Sequence, residues 1–541
     1  MTALAAPPAQ PKTSRARDGA GSRRAASLTI AGVLGAFVLA ALLAFTTLDF
    51  SSVGFQKSIT SAQRFFARMV PLDFSEPGEL LWLTVLTLAI VICGTVVAAI
   101  ISVPVAYWAA RNTSPHPTLQ WIGRAITVLA RAFPELILII ILATMFSLGS
   151  LPGILAIGLH SVGMVGKLFA DAIEQIDEGP RIAIRAAGGT KMQEFASGIL
   201  PQVAPSWIAT ILHRNDINLR ASAILGYVGM PGLGYELSAS IQRLDYKRAM
   251  AVALILLLLC VAMEIISVAI RRMILGGGHT TPETPTRWVR ARGAVLGWTA
   301  LAVIAASAFI AQPAWGDFLN VWAVLPGRLS NLLPLTTGEY TWSQALAMLW
   351  DTVAIALAGT LIGVVFSSIV GSLAARNVAL NSSARTGARL FLLTIRGIPE
   401  LILAIVLILV TGLGGSAAAL ALGIGTVGLL GKLLADSIEE VDPGPERALK
   451  AVGASRPQVY FSSTLPQASP AFIGHIFYAL DSNVRAATVL AVVGAGGVGQ
   501  AMFNAAQLSK YNVVATFTLL VIGVVLSIEG LAVFLRKLLA K

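Results

Sequence analysis

Arg131-Ala-Phe-Pro134-Glu135-Leu-Ile-Leu138 returns, 265 residues later, as Arg396-Gly-Ile-Pro399-Glu400-Leu-Ile-Leu403. Neighbouring segments return at the same offset. Gly166-Lys167-Leu-Phe-Ala-Asp171-Ala-Ile-Glu174 becomes Gly431-Lys432-Leu-Leu-Ala-Asp436-Ser-Ile-Glu439, and Asp216-Ile-Asn218-Leu-Arg220-Ala becomes Asp481-Ser-Asn483-Val-Arg485-Ala. The register holds without a gap from Ala110-Arg111-Asn112 (Ala375-Arg376-Asn377) to Tyr246 (Tyr511). Solenoid repeats recur about every 20–50 residues. A period this long is a duplicated domain with both copies kept in one polypeptide.

Of the 541 residues, 56% are hydrophobic and 12% charged, and the mean hydropathy is +0.78. That composition belongs to a membrane protein. Leu28–Leu48, Leu80–Ala110, Leu136–Gly166, Gly293–Ala311, Thr352–Ala375 and Leu401–Leu430 contain no Asp, Glu, Lys or Arg. About 20 apolar residues cross a bilayer core, so the longest runs must tilt, kink or double. Leu401–Leu430 reads as doubled, because Gly412-Leu-Gly-Gly-Ser416 interrupts it. Pro201–Tyr227, Ala249–Ile270, Leu465–Leu490 and Asn512–Phe534 add further spans. The total is about six helices per half and about twelve in all. An even number per half gives both halves the same orientation, as parallel repeats about a pseudo-two-fold axis along the membrane normal. The expected fold is an all-α polytopic membrane protein.

The net charge of +12 is explained by membrane orientation rather than by nucleic acid. Lys12, Arg15, Arg17, Arg23 and Arg24 precede the first span, and Arg271, Arg272, Arg287, Arg290 and Arg292 flank the middle of the chain. Arg111 and Arg124, then Arg376, Arg385 and Arg389, follow the second span of each half, and Arg536, Lys537 and Lys541 end the chain. The positive-inside bias makes these cytoplasmic, with both termini. Lys57, Arg64, Arg68, Lys247 and Arg248 run against it. The chain divides into a disordered tail (1–26), a first membrane domain (27–272, core 80–272), a linker (273–292) and a second membrane domain (293–541, core 345–537). No cleavage motif follows the first span, so it reads as retained. Cys93 and Cys260 are lone thiols in apolar runs and suggest neither a disulfide nor a metal site. His213 and His475 face Tyr478 and Thr210 in the other copy and read as packing residues.

Before the fifth span each half carries a polar loop. The first is Asp177-Glu-Gly179-Pro180-Arg-Ile-Ala183-Ile-Arg-Ala186-Ala-Gly188-Gly189-Thr, ahead of Leu200-Pro201-Gln202. The second is Asp442-Pro-Gly444-Pro445-Glu-Arg-Ala448-Leu-Lys-Ala451-Val-Gly453-Ala454-Ser, ahead of Leu465-Pro466-Gln467. In both, 13 positions separate Gly188 or Gly453 from the Pro of Leu-Pro. A Pro-started short helix stopped by Gly, then a second helix re-entering the membrane, presents a rigid knob to a cytoplasmic partner.

With these loops, the chain resembles the membrane permeases of type I ABC importers, whose signature runs Glu-Ala-Ala, Gly, Leu-Pro. The Arg-x-x-Pro-Glu-Leu, Gly-Lys-Leu-x-Ala-Asp-x-Ile-Glu, Asp-x-Asn-x-Arg-Ala and Val-Gly-x-x-Gly-x-Gly stretches are similar to the phosphonate-uptake permeases in particular. The likeness covers Leu80–Arg272 and Ala345–Lys537. It implies two copies of an ABC ATP-binding subunit, one docked on each loop at Ala183, Ala186, Gly188 and Gly189, and at Ala448, Ala451, Gly453 and Ala454. It also implies an extracytoplasmic substrate-binding protein, a bacterial inner-membrane location, lipid contact and alternating access. One departure stands out: the signature Glu falls at Ile182 and Arg447, with Glu446 one position early.

The chain is expected to bind no cofactor itself. A P-loop needs Gly-x-x-x-x-Gly-Lys-Ser/Thr, whereas Gly166-Lys167 and Gly431-Lys432 are followed by Leu168 and Leu433. ATP and Mg are therefore expected on the partner ATPase. Gly494-Ala-Gly496-Gly-Val-Gly499 satisfies a dinucleotide pattern, but no acid follows about 20 positions on; a tightly packed turn is the simpler reading.

Ionisable residues inside membrane spans are costly and face a cavity or one another. Arg131 and Glu135, like Arg396 and Glu400, are four apart and are expected to pair on one helix face kinked by Pro134 or Pro399. Arg131, Glu135, Arg220, Asn218, Arg396, Glu400, Arg485 and Asn483 are candidates to face an anion pathway, with Arg220 and Arg485 on its opposite walls, since a guanidinium suits a phosphonate-like group. No residue set suggests catalysis or metal binding. The competing readings are a permease for phosphate, phosphite, methionine or another oxyanion, an ion-gradient-driven transporter, and a membrane enzyme or redox subunit.

Overall fold

The computed structural model describes residues 15–48, 50, 63–64, 67–146, 149–275 and 287–539. Among them all regular structure is helical. The first half comprises α1 (Arg15–Thr47), α2 (Pro77–Ala109), α3 (Pro117–Ala132), α4 (Glu135–Met145), α5 (Ser150–Glu174), α6 (Glu178–Ala186), α7 (Leu200–Leu225), α8 (Leu233–Gln242) and α9 (Tyr246–Leu275). The second comprises α10 (Arg287–Ala311), α11 (Trp315–Ser330), α12 (Trp342–Ala374), α13 (Ser382–Gly397), α14 (Glu400–Thr411), α15 (Gly415–Glu439), α16 (Pro443–Ala451), α17 (Leu465–Leu490), α18 (Val498–Gln507) and α19 (Tyr511–Leu539). Every helix from α12 to α19 starts 265 positions after its counterpart in α2–α9. The duplication is therefore structural as well as sequential.

Among the described residues, ten helices are long and apolar enough to cross a membrane, or up to 12 if each of two bent pairs is one span. The bent pairs are α3–α4, at 95°, and α13–α14, at 81°. Proline explains both. It disfavours the α conformation in the residue before it, and Phe133 and Ile398 are extended, at φ −73°, ψ 121° and φ −81°, ψ 120°. Arg131 and Glu135 consequently lie on two differently directed helices, which removes the expected shared face. The doubled run Leu401–Leu430 divides where Gly412, with φ 101°, ends α14. Leu136–Gly166 divides in the same way, into α4 and α5.

Of the expected tail, residues 1–14 lie outside the described residues, and α1 already begins at Arg15. Residues 276–286 of the expected linker also lie outside them. The first helix of each half is exchanged: α1 packs on α12, and α10 packs on α2. Phe37 of α1 meets Phe477 of α17, with ring centroids 6.2 Å apart, and Phe146 stacks on Phe318 of α11 at 6.2 Å. The two sequence domains are thus intertwined in space.

Within each half, α2 and α5 (α12 and α15) share the most extensive contact. Small residues permit it: a Cβ on Gly94 would stand 2.8 Å from Ile157, and one on Gly359 2.9 Å from Leu422. The Gly-rich stretch before α18 forms no dinucleotide fingerprint, because it follows a helix rather than a strand. It is a close-packed turn: a Cβ on Gly499 would fall 1.9 Å from the Thr488 carbonyl oxygen, and one on Gly226 1.9 Å from the Gly234 carbonyl carbon. The α18 start is fastened by Val498 N–H donating to Thr352 Oγ1 at 2.9 Å, and the α8 start by Leu233 N–H donating to Thr87 Oγ1 at 2.8 Å.

Candidate functional site

The polar loops fold alike in both halves. Asp177 and Asp442 cap α6 and α16, each accepting from a glycine N–H (Gly179, Gly444) at 2.9 Å, where a negative charge suits the helix dipole. Gly188 (φ 79°) and Gly453 (φ 82°) end these helices in the left-handed conformation. The N–H groups of Gly188 and Gly189 reach the carbonyls of Arg185 and Ile184 at 3.0 and 2.9 Å; those of Gly453 and Ala454 reach Lys450 and Leu449 at 3.1 and 3.0 Å. This is the two-bond Schellman stop. Ala183, Ala186, Gly188, Ala448, Ala451 and Gly453 are exposed, with Gly189 and Ala454 half-buried behind them.

What supports the two knobs differs. Under α6, Arg181 binds Glu194, a buried carboxylate that Arg185 also reaches at 2.7 Å. Donating this hydrogen bond to Glu194 raises the Arg185 guanidinium above its usual range. Under α16, buried Val459 stands where Glu194 does, and Glu446 is held by Lys450 at 2.6 Å. The signature positions Ile182 and Arg447 are both exposed. The repeated Arg-Asn turn anchors each loop. Asn112 Nδ2 donates to the Ile173 carbonyl at 2.8 Å and Asn377 Nδ2 to that of Ile438 at 2.9 Å. Glu174 and Glu439 accept from the N–H of Arg111 and Arg376, at 2.9 and 2.6 Å.

The membrane charges assemble differently from the expected i, i+4 pairs. Arg131 Nη2 meets Glu529 Oε1 of α19 at 2.5 Å, and Arg396 Nη2 meets Glu264 Oε1 of α9 at 2.5 Å. Both pairs bind one half to the other, and they are equivalent under the duplication. Arg485 Nη1 donates to the Arg131 carbonyl at 3.0 Å, again across the halves, while its Nη2 lies 3.0 Å from Asp481. Arg220 binds Asp216 and approaches Glu264 Oε2 at 3.6 Å. Arg131, Arg220, Arg396 and Arg485 therefore gather where the halves meet, each already paired with a carboxylate. Glu264 and Glu529 were missed by motif reading. The signal was present: each is the sole acid of an apolar helix, at the same offset of 265.

Asn218 and Asn483 do not line this boundary. Asn218 is 1% exposed and joins three helices of its own half: its Nδ2 donates to Thr95 Oγ1 at 2.9 Å and its Oδ1 accepts from Ser161 at 3.0 Å. Asn483 does the same: its Nδ2 donates to Thr360 Oγ1 at 2.8 Å and its Oδ1 accepts from Thr426 Oγ1 at 3.2 Å. Burying an amide demands such partners, so these are internal fasteners of α2, α5 and α7, and of α12, α15 and α17. Glu135 and Glu400 also part company. Glu135 Oε1 lies 3.0 Å from His160 Nε2 and 3.5 Å from Arg214 Nη2, whereas Gly425 packs beside Glu400.

The family described as binding-protein-dependent transport system inner membrane component matches residues 102–275 and 363–541. The chain belongs to this family. It is a permease subunit integral to the inner membrane, and the family match falls once in each half. The phosphate-import permease protein PhnE of Mycolicibacterium smegmatis is 39% identical over 473 residues, 87% of this permease and 87% of that protein. The phosphite transport system permease protein PtxC of Stutzerimonas stutzeri is 43% identical over 205 residues, 38% of this permease and 74% of that protein. Among solved structures, an inward-facing MetNI methionine ABC transporter matches 37% of this permease and 99% of its own chain, at 22% identity and a TM-score of 0.34.

Proposed function

We propose that this permease alone forms the translocation pathway of an ATP-driven importer for phosphonate or a related phosphorus oxoanion. Two ABC ATP-binding subunits, carrying ATP and Mg, dock on the cytoplasmic side, one on α6 and one on α16. An extracytoplasmic binding protein delivers the solute to the other side, and both termini are cytoplasmic. The observation that carries the reading is the twin pair of capped loop helices, each presenting an Ala/Gly face with no partner among the described residues. The relatives named for phosphate and phosphite import support the solute class.

Closure of the ATPases displaces α6 and α16. The α2–α9 and α12–α19 cores each move as a unit, carrying the exchanged helix packed on them, because the three-helix Asn218 or Asn483 fastening is internal to each core. The rearrangement falls on the boundary, where Arg131–Glu529 and Arg396–Glu264 hold the present state. Substrate contacts there need only be weak, since the binding protein supplies capture. The test is copurification of an ATPase with the permease, followed by ATP-driven uptake of phosphate, phosphite and methylphosphonate into proteoliposomes supplied with the binding protein. Uptake of none of the three would overturn the solute class.

A further inference from the structure

At the end of the molecule opposite the docking loops the two halves differ. Where α10 packs on the first half there is a cavity of about 310 Å³, lined by Trp82, Leu86, Ser150, Leu151, Gln312 and Asp317 among others. Leu86 and Leu151 are buried and give it an apolar floor, while Trp82 and Gln312 are exposed at its mouth. The equivalent place in the second half is closed. Ala347 and Gly415 stand where Trp82 and Ser150 do, and Leu48 fills the space, its Cδ2 2.6 Å from where a Cβ on Gly415 would lie.

The depth of the cavity follows from α10. Its apolar stretch, Gly293–Ala311, has 19 residues, about 28 Å at 1.5 Å per residue, against a hydrocarbon core of about 30 Å. Arg287, Arg290 and Arg292 mark its cytoplasmic end. Ala311 therefore reaches the outer hydrocarbon boundary, where Gln312, with φ 42°, turns the chain into α11. This helix stays at that depth. Phe318 stacks on Phe146 at the end of α4, and Val321 is buried in the same apolar cluster as Ala311. On its free face Trp315, Leu319, Trp322 and Leu329 are 47–76% exposed, at the spacing of one helical stripe, while Asn320 and Arg328 lie off that stripe. A short amphipathic helix of this kind, with tryptophans on its apolar face, rests in the membrane interface.

Asp317 lines the cavity from the first turn of α11, and among the described residues its carboxylate has no hydrogen bond or ion pair. An unneutralised carboxylate and an exposed indole on one cavity make a cation site. The apolar floor suits an alkylammonium rather than a bare metal ion. We propose that this cavity binds the primary-ammonium headgroup of an outer-leaflet phospholipid of the phosphatidylethanolamine kind. Asp317 is its counter-ion, Trp82 supplies the cation–π face, and the acyl chains continue into the bilayer around α10. Because Leu48 closes the equivalent place, the chain carries one such site.

The full-length permease, delipidated in detergent, is titrated with phosphatidylethanolamine or with phosphatidylglycerol of the same acyl chains, and native mass spectrometry reads the bound lipid. The wild type is expected to hold one phosphatidylethanolamine roughly tenfold more tightly than phosphatidylglycerol. D317N should abolish the preference, and W82L should weaken phosphatidylethanolamine binding several-fold, as the loss of a cation–π contact does. Glycerophosphoethanolamine, the same headgroup without chains, should compete only weakly. Should D317N fail to assemble, W82L, a change at a half-exposed position, decides the matter. Equal binding of the two lipids by the wild type, or a wild-type preference in the deciding variant, would overturn the site. Full competition by glycerophosphoethanolamine at equal concentration would overturn the lipid as occupant. None of these readings involves the ATPase or the transported solute, so they stand or fall apart from the import function.

Discussion

Arg131 and Glu529 are 398 positions apart in the chain and 2.5 Å apart in space, and Arg396 and Glu264 repeat the relationship in mirror assignment. Each half thus lends an arginine from its bent helix to a lone acid on the last span of the other. The side chains are 12–22% exposed, so the pairs are shielded from water without being sealed from it.

Removing one partner strands the other charge in a poorly hydrated site, which costs roughly 3–5 kcal/mol for a buried pair. We predict that E529Q lowers stability by about 3 kcal/mol, the low end of that range given the partial exposure. The thermal unfolding midpoint of the purified complex reads it, and R131E combined with E529R should recover most of the loss. An E529Q protein melting like the wild type would show the pair to be unimportant.

The Asn218 and Asn483 fasteners predict a smaller and purely structural effect. N218L or N483L should cost about 1 kcal/mol, as interhelical hydrogen bonds in membranes do. Uptake per assembled complex should remain close to wild type. A selective loss of uptake with unchanged melting would return these amides to the pathway.

Two glycine substitutions separate packing from docking. G226A or G499A sets a Cβ 1.9 Å from backbone atoms, a clash that relaxation of a side chain cannot relieve, so little folded protein should be recovered. A Cβ on Gly188 or Gly453 meets nothing within 4 Å, and G188A or G453A should cost only the left-handed strain, about 1–2 kcal/mol. Recovery in detergent, compared across the four variants, checks the ranking.

The bulky change at the same loop positions tests docking. G188R together with G453R should abolish uptake while membrane insertion persists, and the copurifying ATPase should be lost. Retained ATPase and undiminished uptake would remove α6 and α16 from the interface.

The fold was largely legible because duplication and apolar runs are strong one-dimensional signals. The eight paired helix starts follow the sequence offset without exception. The loop stops at Gly188 and Gly453 were legible for the same reason, since a left-handed turn demands glycine. The exchange of α1 and α10 between halves was not, because an apolar helix carries no mark of which apolar surface it covers. The pairing of Arg131 was misread for a physical reason: Pro134 ends the helix before Glu135, so spacing four no longer means a shared face. Asn218 looked like a pathway residue because polarity in a span has two meanings, fastening and conduction, and only the hydroxyls of Thr95 and Ser161 distinguish them.

The central claim is that two membrane bundles in one chain are worked by motors bound at α6 and α16. Reconstituting the permease in vesicles with and without its copurifying ATPase tests it most directly. Uphill solute uptake that requires the ATPase and ATP is the predicted result; accumulation by the permease alone, driven by a proton or sodium gradient, would contradict it.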